Sequence, residues 1–261
     1  MDPSASLATA LDAARRAGEL LLERFGGPAT GVGSKSTPTD LVSDADLASE
    51  ELLREIIQRA HPDDGIVGEE GDSRSSASGR TWVLDPLDAT VNFLFKIPWW
   101  AVSIAVRDAQ GDLVGVIHNP VMNETFAATR GGGATMNDAP IQVTDRTELG
   151  GALIATGFAY DAEARGRQAK VLESVLPRVR DIRRMGSAAL DLCSLACGRI
   201  DGFYESHLEE WDKAAGRLIV REAGGVVGEV GPPKPGLTPG LIASNHALYE
   251  GLRRLVTDED S

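Results

Sequence analysis

The chain is poor in cysteine and short of base. Of its 261 residues only two are cysteine, Cys193 and Cys197. They lie four apart in LDLCSLACG, on one face of an expected helix, but no further cysteine completes a zinc set. They read as small buried hydrophobes of a reduced, cytoplasmic protein. Lys and Arg number 26 against 39 Asp and Glu, a net charge of −13. Non-specific nucleic-acid binding needs clustered base, so no nucleic-acid partner is expected. A long apolar run is also missing. The N-terminal stretch MDPSASLATALDAARRAGELLL carries charges among its apolar positions, so it is expected to be neither a signal peptide nor a membrane span. No membrane partner is expected, and no internal repeat or low-complexity tract occurs. The four histidines, His61, His118, His207 and His246, are scattered and read as structural or surface groups. No Cys, Ser or His nucleophile stands out.

What is present is a layered pattern. Residues 4 to 25 and 43 to 60 read as amphipathic helices, the second with Asp44 and Asp46 in its first turn. Between them, 28 to 39 is a Gly-, Ser-, Thr- and Pro-rich loop with one base, Lys35. A short strand, 65 to 67, ends on Gly68-Glu69-Glu70. Residues 102–107, 113–118 and 125–129 read as an antiparallel meander, with a strand edge at 141–143. The second half alternates. Strands are expected at 153–156, 182–185, 202–205, 226–230 and 241–243, and helices at 161–176, 187–196, 213–223 and 247–256. Such alternation predicts a layered α/β fold. The segment GPPKPGLTPG (231–240) reads as a surface loop.

The organising stretch is WVLDPLDATVNF, 82 to 93. An apolar strand ends on Asp85, Pro86 reads as its stop, and Asp88, Ala89 and Thr90 follow before a short helix. Taken alone it also fits a surface turn with two solvated acids. Further acids fall beside expected strand ends or helix starts: Glu70 after 65–67, and Asp212 in EEWDKAAG, just before a helix. Ligand sites of open α/β sheets gather at strand ends. Singly each acid reads as a cap or a surface charge; the four together, with Thr90, make a two-metal phosphotransfer site the more economical reading. Only oxygen ligands are on offer, which favours Mg²⁺ over Zn²⁺.

These pieces carry a resemblance. KSTPTDLVSDAD (35–46), GEE (68–70), DPLDATVNF (85–93), RRMGSAALDL (183–192) and WDKAAG (211–216) occur in the order of the inositol monophosphatase family. The chain resembles those Mg²⁺-dependent phosphatases over nearly its whole length, most nearly the bacterial, actinobacterial-type members. The resemblance implies an α/β fold, a layered α-β-α-β-α sandwich of the inositol monophosphatase and fructose-1,6-bisphosphatase type. It implies one domain over 1–261, with an α+β half (1–150) bearing the metal motifs and an α/β half (151–261). Glu70, Asp85 and the Leu87 carbonyl would hold a first Mg²⁺, and Asp85, Asp88 and Asp212 a second. Glu70 could also reach a third ion through water. Thr90, paired with Asp46, would orient the attacking water, and the amides of Ala89 and Thr90 would hold the phosphate. Asp88, Asp212 and Glu205 would face the substrate, with Gly186, Ser187 and Ala188 along its side and Arg183 nearby. Lys35 and Asp40 would belong to a mobile loop that closes on the metals. Lithium sensitivity and a homodimer are further family traits to expect, with Pro98-Trp99-Trp100 as either an apolar contact or core.

The resemblance implies hydrolysis of inositol-1-phosphate or a related phosphorylated polyol. Histidinol phosphate is the alternative substrate on the same scaffold, other sugar or nucleotide phosphates follow, and a non-catalytic, transcription-associated role is a reading of another class. Two positions depart from the family. Ala89 replaces the usual Gly, which is harmless if the residue is right-handed helical, as expected here, and costs about 1 kcal/mol if it needs positive φ. Glu209 stands where animal members often carry His.

Overall fold

Small residues let the first helix lie flat. A computed structural model gives the fold and describes residues 3–35, 41–230 and 240–257. Asp40 and most of the expected 231–240 loop lie outside them. Helix α1 (Ser4–Arg24) buries Ala10, Ala13, Ala14, Ala17 and Leu21 on one stripe. A two-stranded ribbon, β1 (Gly33–Ser34) and β2 (Leu41–Val42), leads to α2 (Asp44–Ala60). Ser43 caps α2, and Asp46 bonds back to the Ser43 amide in a capping box.

The first sheet follows: β3 (Gly65–Gly68), β4 (Thr81–Asp88), then the short helix α3 (Thr90–Leu94), β5 (Ala101–Asp108), β6 (Gly111–Asn119), β7 (Glu124–Thr129), β8 (Gly133–Met136) and β9 (Ala139–Pro140). Its order is sequential, β3 to β9, and only the β3–β4 pair is parallel. The second part contains β10 (Leu153–Thr156), α4 (Ala162–Val175), β11 (Asp181–Arg183), α5 (Ala188–Ala196), β12 (Gly202–Glu205), α6 (Glu210–Glu222), β13 (Val226–Val230), β14 (Gly240–Ser244) and α7 (His246–Thr257). This sheet is mixed, in the order β11-β10-β12-β14-β13, with β10 parallel to both neighbours.

The helices sort into three layers. α1 and α2 pack on the outer face of the first sheet, α5 and α6 lie between the sheets, and α4 and α7 cover the second sheet. The α-β-α-β-α sandwich is therefore present, with an apolar core in each of the spaces it creates. The middle layer is tight because its contact residues are small. A Cβ on Gly115 of β6 would lie 2.8 Å from the Ala215 carbonyl of α6. Among the described residues no helix is long and apolar enough to cross a membrane.

Three local expectations change, and one left open is settled. Pro86 does not stop β4. It sits in a bulge, where its missing N–H costs no ladder bond, and the strand runs on to Asp88. Residues 141–143 form no strand, since Ala139–Pro140 already ends the sheet. Helix α6 starts at Glu210, so Asp212 lies inside its first turn rather than before it. Trp100 is fully buried and Trp99 packs on the core; the exposed apolar side chains nearby are Phe95 and Ile97.

One buried histidine ties the outer layer to the sheet. His118 of β6 is 6% exposed, lies against Gly18 of α1, and shares a 3.0 Å hydrogen bond with the Thr125 hydroxyl of β7. Burial, aided by the charge of Arg15, lowers its pKa from 6.5 to about 4. Because the folded pKa is the lower one, the unfolded chain takes the proton first. His118 is thus neutral to stability above pH 6.5 and withdraws up to about 3 kcal/mol as pH falls to about 4. In urea titrations between pH 7 and pH 4, His118→Gln should flatten that part of the loss relative to the native chain. Parallel curves would show that His118 takes its proton at the same pH in the folded and unfolded chain.

Candidate active site

A three-residue spacing on a regular strand sends two side chains to opposite faces. The bulge in β4 cancels that. Asp85 pairs with Ser103 and Asp88 with Ala101, two residues apart on β5, so both acids face the same side. The Leu87 amide donates to Asp85 Oδ1 at 3.1 Å, and the Ser49 hydroxyl fixes the Pro86 carbonyl at 2.8 Å.

The next acid is Glu69 rather than Glu70. β3 runs parallel to β4 with Gly68 beside Leu84, and the Glu69 amide still donates to the Leu84 carbonyl. Glu69 therefore continues the register beside Asp85 and comes within hydrogen-bonding reach of it. One residue further, the alternation turns Glu70 away. Its amide donates to Glu50 Oε2 at 2.8 Å, and its carboxylate meets Lys35. Glu50 is buried, accepts from Arg54 at 2.7 Å, and fills the space a Cβ would need at Gly68. It fixes this turn, and so which of the two glutamates looks inward. Lys35 also donates to Glu69 at 2.6 Å.

The third element is α6. Its capping box holds Asp212 Oδ2 on the Glu209 amide at 2.7 Å and aims the acid at Asp85 and Asp88. The fourth is the start of α5. Ser187 caps that helix, and its hydroxyl donates to Asp88, as does the Ala189 amide at 3.1 Å. Ser187 thus stands behind Asp88 and supports it, while Gly186 and Ala188 line the cavity. Beside them Thr90 donates to Asp46 Oδ1 at 2.7 Å, and Asp46 Oδ2 accepts from the Ser43 amide and hydroxyl.

These groups line a cavity of about 410 Å³ that opens on Glu69, Asp85, Asp88, Thr90 and Asp212 at one end and Glu205 at the other. Burial, then the negative charges of Glu69, Asp88 and Asp212, push the Asp85 carboxyl well above its usual range. Burial, then the charges of Glu69 and Asp88, raise Asp212. Asp88 rises to about 6 by burial, held back by its bonds from Ser187 and Ala189. Glu70 rises to about 7 by burial, against the pull of Lys35. Acids crowded in this way call for a cation, and every available donor is oxygen, which fits a hard divalent ion. Among the described residues no three acidic, His or Cys side chains already converge as ligands on one point.

Several expectations move by one place. Arg183 is exposed on the edge strand and pairs with Asp181 at 2.7 Å; Arg184 lines the cavity instead. Ala89 is left-handed, φ 76° and ψ 50°, not right-handed helical. His207, read as structural or surface, lines the cavity. Asp40 lies outside the described residues. Glu69, Glu50, Ser43, Arg184 and Asp191 were not singled out by the sequence. The GEE and RRM doublets offered a signal for Glu69 and Arg184, and neither could say which of its pair faces in.

The chain is similar to known proteins over nearly its whole length. The inositol monophosphatase family model matches residues 2–261. The inositol-1-monophosphatase of Rhizobium meliloti (strain 1021) is 40% identical over 260 residues, which is 98% of this chain and 97% of that protein. The Nus factor SuhB of Escherichia coli (strain K12) is 38% identical over 253 residues, 96% of this chain and 95% of that one. The crystal structure of the extragenic suppressor protein suhB from Bartonella henselae superposes with a TM-score of 0.90 at 37% identity, covering 98% and 99% of the two chains.

The left-handed Ala89 gives a direct test. Glycine accepts that conformation without the Cβ penalty, so Ala89→Gly should stabilise the fold by about 1 kcal/mol and raise the melting temperature by about 2–4 °C. A calorimetric scan showing no rise would place the backbone strain elsewhere.

Proposed function

The chain belongs to the inositol monophosphatase family, and from that premise we propose that it hydrolyses a small phosphate monoester, inositol-1-phosphate first, with Mg²⁺ as the metal and two or three ions per subunit. The observation that supports it best is the sharing of one cavity by Glu69, Asp85, Asp88, Asp212 and Thr90, whose hydroxyl is bonded to Asp46. Glu69, Asp85 and the Leu87 carbonyl would hold one ion, and Asp85, Asp88 and Asp212 another. Bound there, Mg²⁺ supplies neutralising charge for the phosphate dianion and hydroxide near neutral pH.

The chain's own residues do the rest. Asp46, gripped by Ser43, fixes the Thr90 hydroxyl as a donor toward itself, which leaves the Thr90 oxygen free to accept from a water in the cavity. That water is thereby oriented toward phosphorus for in-line displacement. The Ala89 and Thr90 amides would hold the phosphate oxygens, and Glu205 the leaving group. Glu205 sits at the end of β12, where burial raises its pKa to about 8 against the opposing charge of Arg184. We place the protein in the cytoplasm as a lithium-sensitive homodimer, with the exposed Phe95 and Ile97 as apolar contact candidates.

Relatives named Nus factor support a second reading, a transcription-associated role carried beside catalysis or in place of it. Capture of RNA polymerase factors by the purified protein tests it.

Two measurements test the main reading. Adding MgCl₂ to metal-free protein should raise its melting temperature, since an ion that binds only the folded carboxylate cluster stabilises by mass action. No shift at millimolar Mg²⁺ would argue against the ion. Phosphate release from inositol-1-phosphate should exceed that from histidinol phosphate in kcat/KM, and Asp88→Asn should lower it at least about 100-fold. Near-normal turnover by that variant would sink the assigned metal role.

A further inference from the structure

The cavity has a second end, away from the metal carboxylates. Glu205 of β12 reaches it across Gly157, whose missing side chain leaves room for the carboxylate. Arg184 reaches it across Gly186, where a Cβ would lie 2.6 Å from the guanidinium, and its cation rests 5.9 Å from the Phe158 ring centroid. The third group is Asp191, in the first turn of α5. It lines the cavity, is 1% exposed, and its Oδ1 has no hydrogen-bond partner among the described residues.

That bare oxygen is unlike the chain's other buried acids. Asp88 has Ser187 and Ala189 as donors. Asp64 has the Trp82 indole and the Ser78 hydroxyl. A buried acceptor without a donor costs folding free energy and calls for an explanation, such as a ligand that supplies the donor. What ligand group fits is decided by the set as a whole, the carboxylates of Asp191 and Glu205 and the guanidinium of Arg184. A hydroxyl can donate to an acid and accept from Arg184. An ammonium only donates, and faces the guanidinium. A second phosphate only accepts, and faces two acids.

We propose that Asp191 is a specificity-determining residue that accepts a hydrogen bond from a leaving-group hydroxyl, so that with Glu205 and Arg184 the pocket selects a phosphorylated polyol. The substrate part of this inference rests on the phosphatase reading; the contact with the polyol does not. Asp191 lies in no metal shell, so its loss should spare the chemistry and weaken recognition.

The test uses full-length protein with Mg²⁺, as native chain, Asp191→Ala and Asp191→Asn. Inositol-1-phosphate is compared with p-nitrophenyl phosphate, whose leaving group has no further hydroxyl. For Asp191→Ala, kcat/KM on inositol-1-phosphate should fall about tenfold or more, mostly through KM, while p-nitrophenyl phosphate stays within about twofold. Asp191→Asn keeps an acceptor oxygen and should lose less. Both variants should melt no lower than the native chain, because an unmatched buried acid is removed. Equal loss on both esters, or an unchanged ratio, overturns the proposal. Free inositol is also titrated calorimetrically into protein carrying Mg²⁺ and inorganic phosphate. Binding that Asp191→Ala abolishes, in a native chain that hydrolyses neither ester, would overturn the phosphatase reading and keep this one. Turnover of inositol-1-phosphate untouched by Asp191→Ala would do the reverse. No inositol binding and no turnover overturns both.

Discussion

Carboxylates that share a desolvated cavity repel one another, and Glu69, Asp85, Asp88 and Asp212 do so at the centre of this molecule. Each is raised in pKa, by burial first and then, for Asp85 and Asp212, chiefly by the others. Such a set cannot be held by charge pairing alone, since the cation seen against it is Lys35, on Glu69 and Glu70. It is held by neutral donors instead. The α5 amide and its capping hydroxyl take Asp88, the α6 capping box takes Asp212, and the Leu87 amide takes Asp85. Helix starts are suited to this task because their amides lack intrahelical partners and their dipoles favour negative charge.

The layered fold follows from the same need. Donors from α5 and α6 reach Asp88 and Asp212 only if the middle helices lie close on the first sheet. Gly115 under Ala215 and Gly216 beside Leu192 allow that approach. The second sheet then brings the ends of β10 and β12 to the other side of the cavity, with Gly157 and Glu205. Strand ends from both sheets thus meet at one opening, where open α/β folds collect ligands.

Much of this was legible in the sequence. Apolar periodicity fixed α1, α2 and the meander, and the spacing of acids around Pro86 marked the site. The misses share a cause. GEE and RRM each hold two like residues in a row, and which of the pair faces inward depends on register with a neighbouring strand or on a glycine that opens a path. Glu69 over Glu70 follows from the β3–β4 ladder. Arg184 over Arg183 follows from Gly186. An alanine gives no sign of a left-handed residue, but the bulge that aligns Asp85 with Asp88 leaves the chain to turn sharply into α3, and that turn is left-handed.

The strain at Ala89 and the bare Asp191 are therefore of different kinds. Ala89 is under backbone strain that the fold tolerates because β4, α3 and the Thr90–Asp46 bond fix the residues around it. A glycine would relieve it at the cost of the small contact its Cβ makes with the core. Asp191 is well placed in its helix and carries an electrostatic cost, which no change of backbone relieves and which a donor entering the cavity can offset. The first cost belongs to building the metal end of the cavity. The second is paid in the free protein at the end that meets the leaving group, and a ligand that cancels it gains affinity without touching the reacting atoms. In the proposed reaction, discrimination between esters resides in α5 and β12, while the carboxylates after β3, on β4 and on α6 treat every phosphate alike.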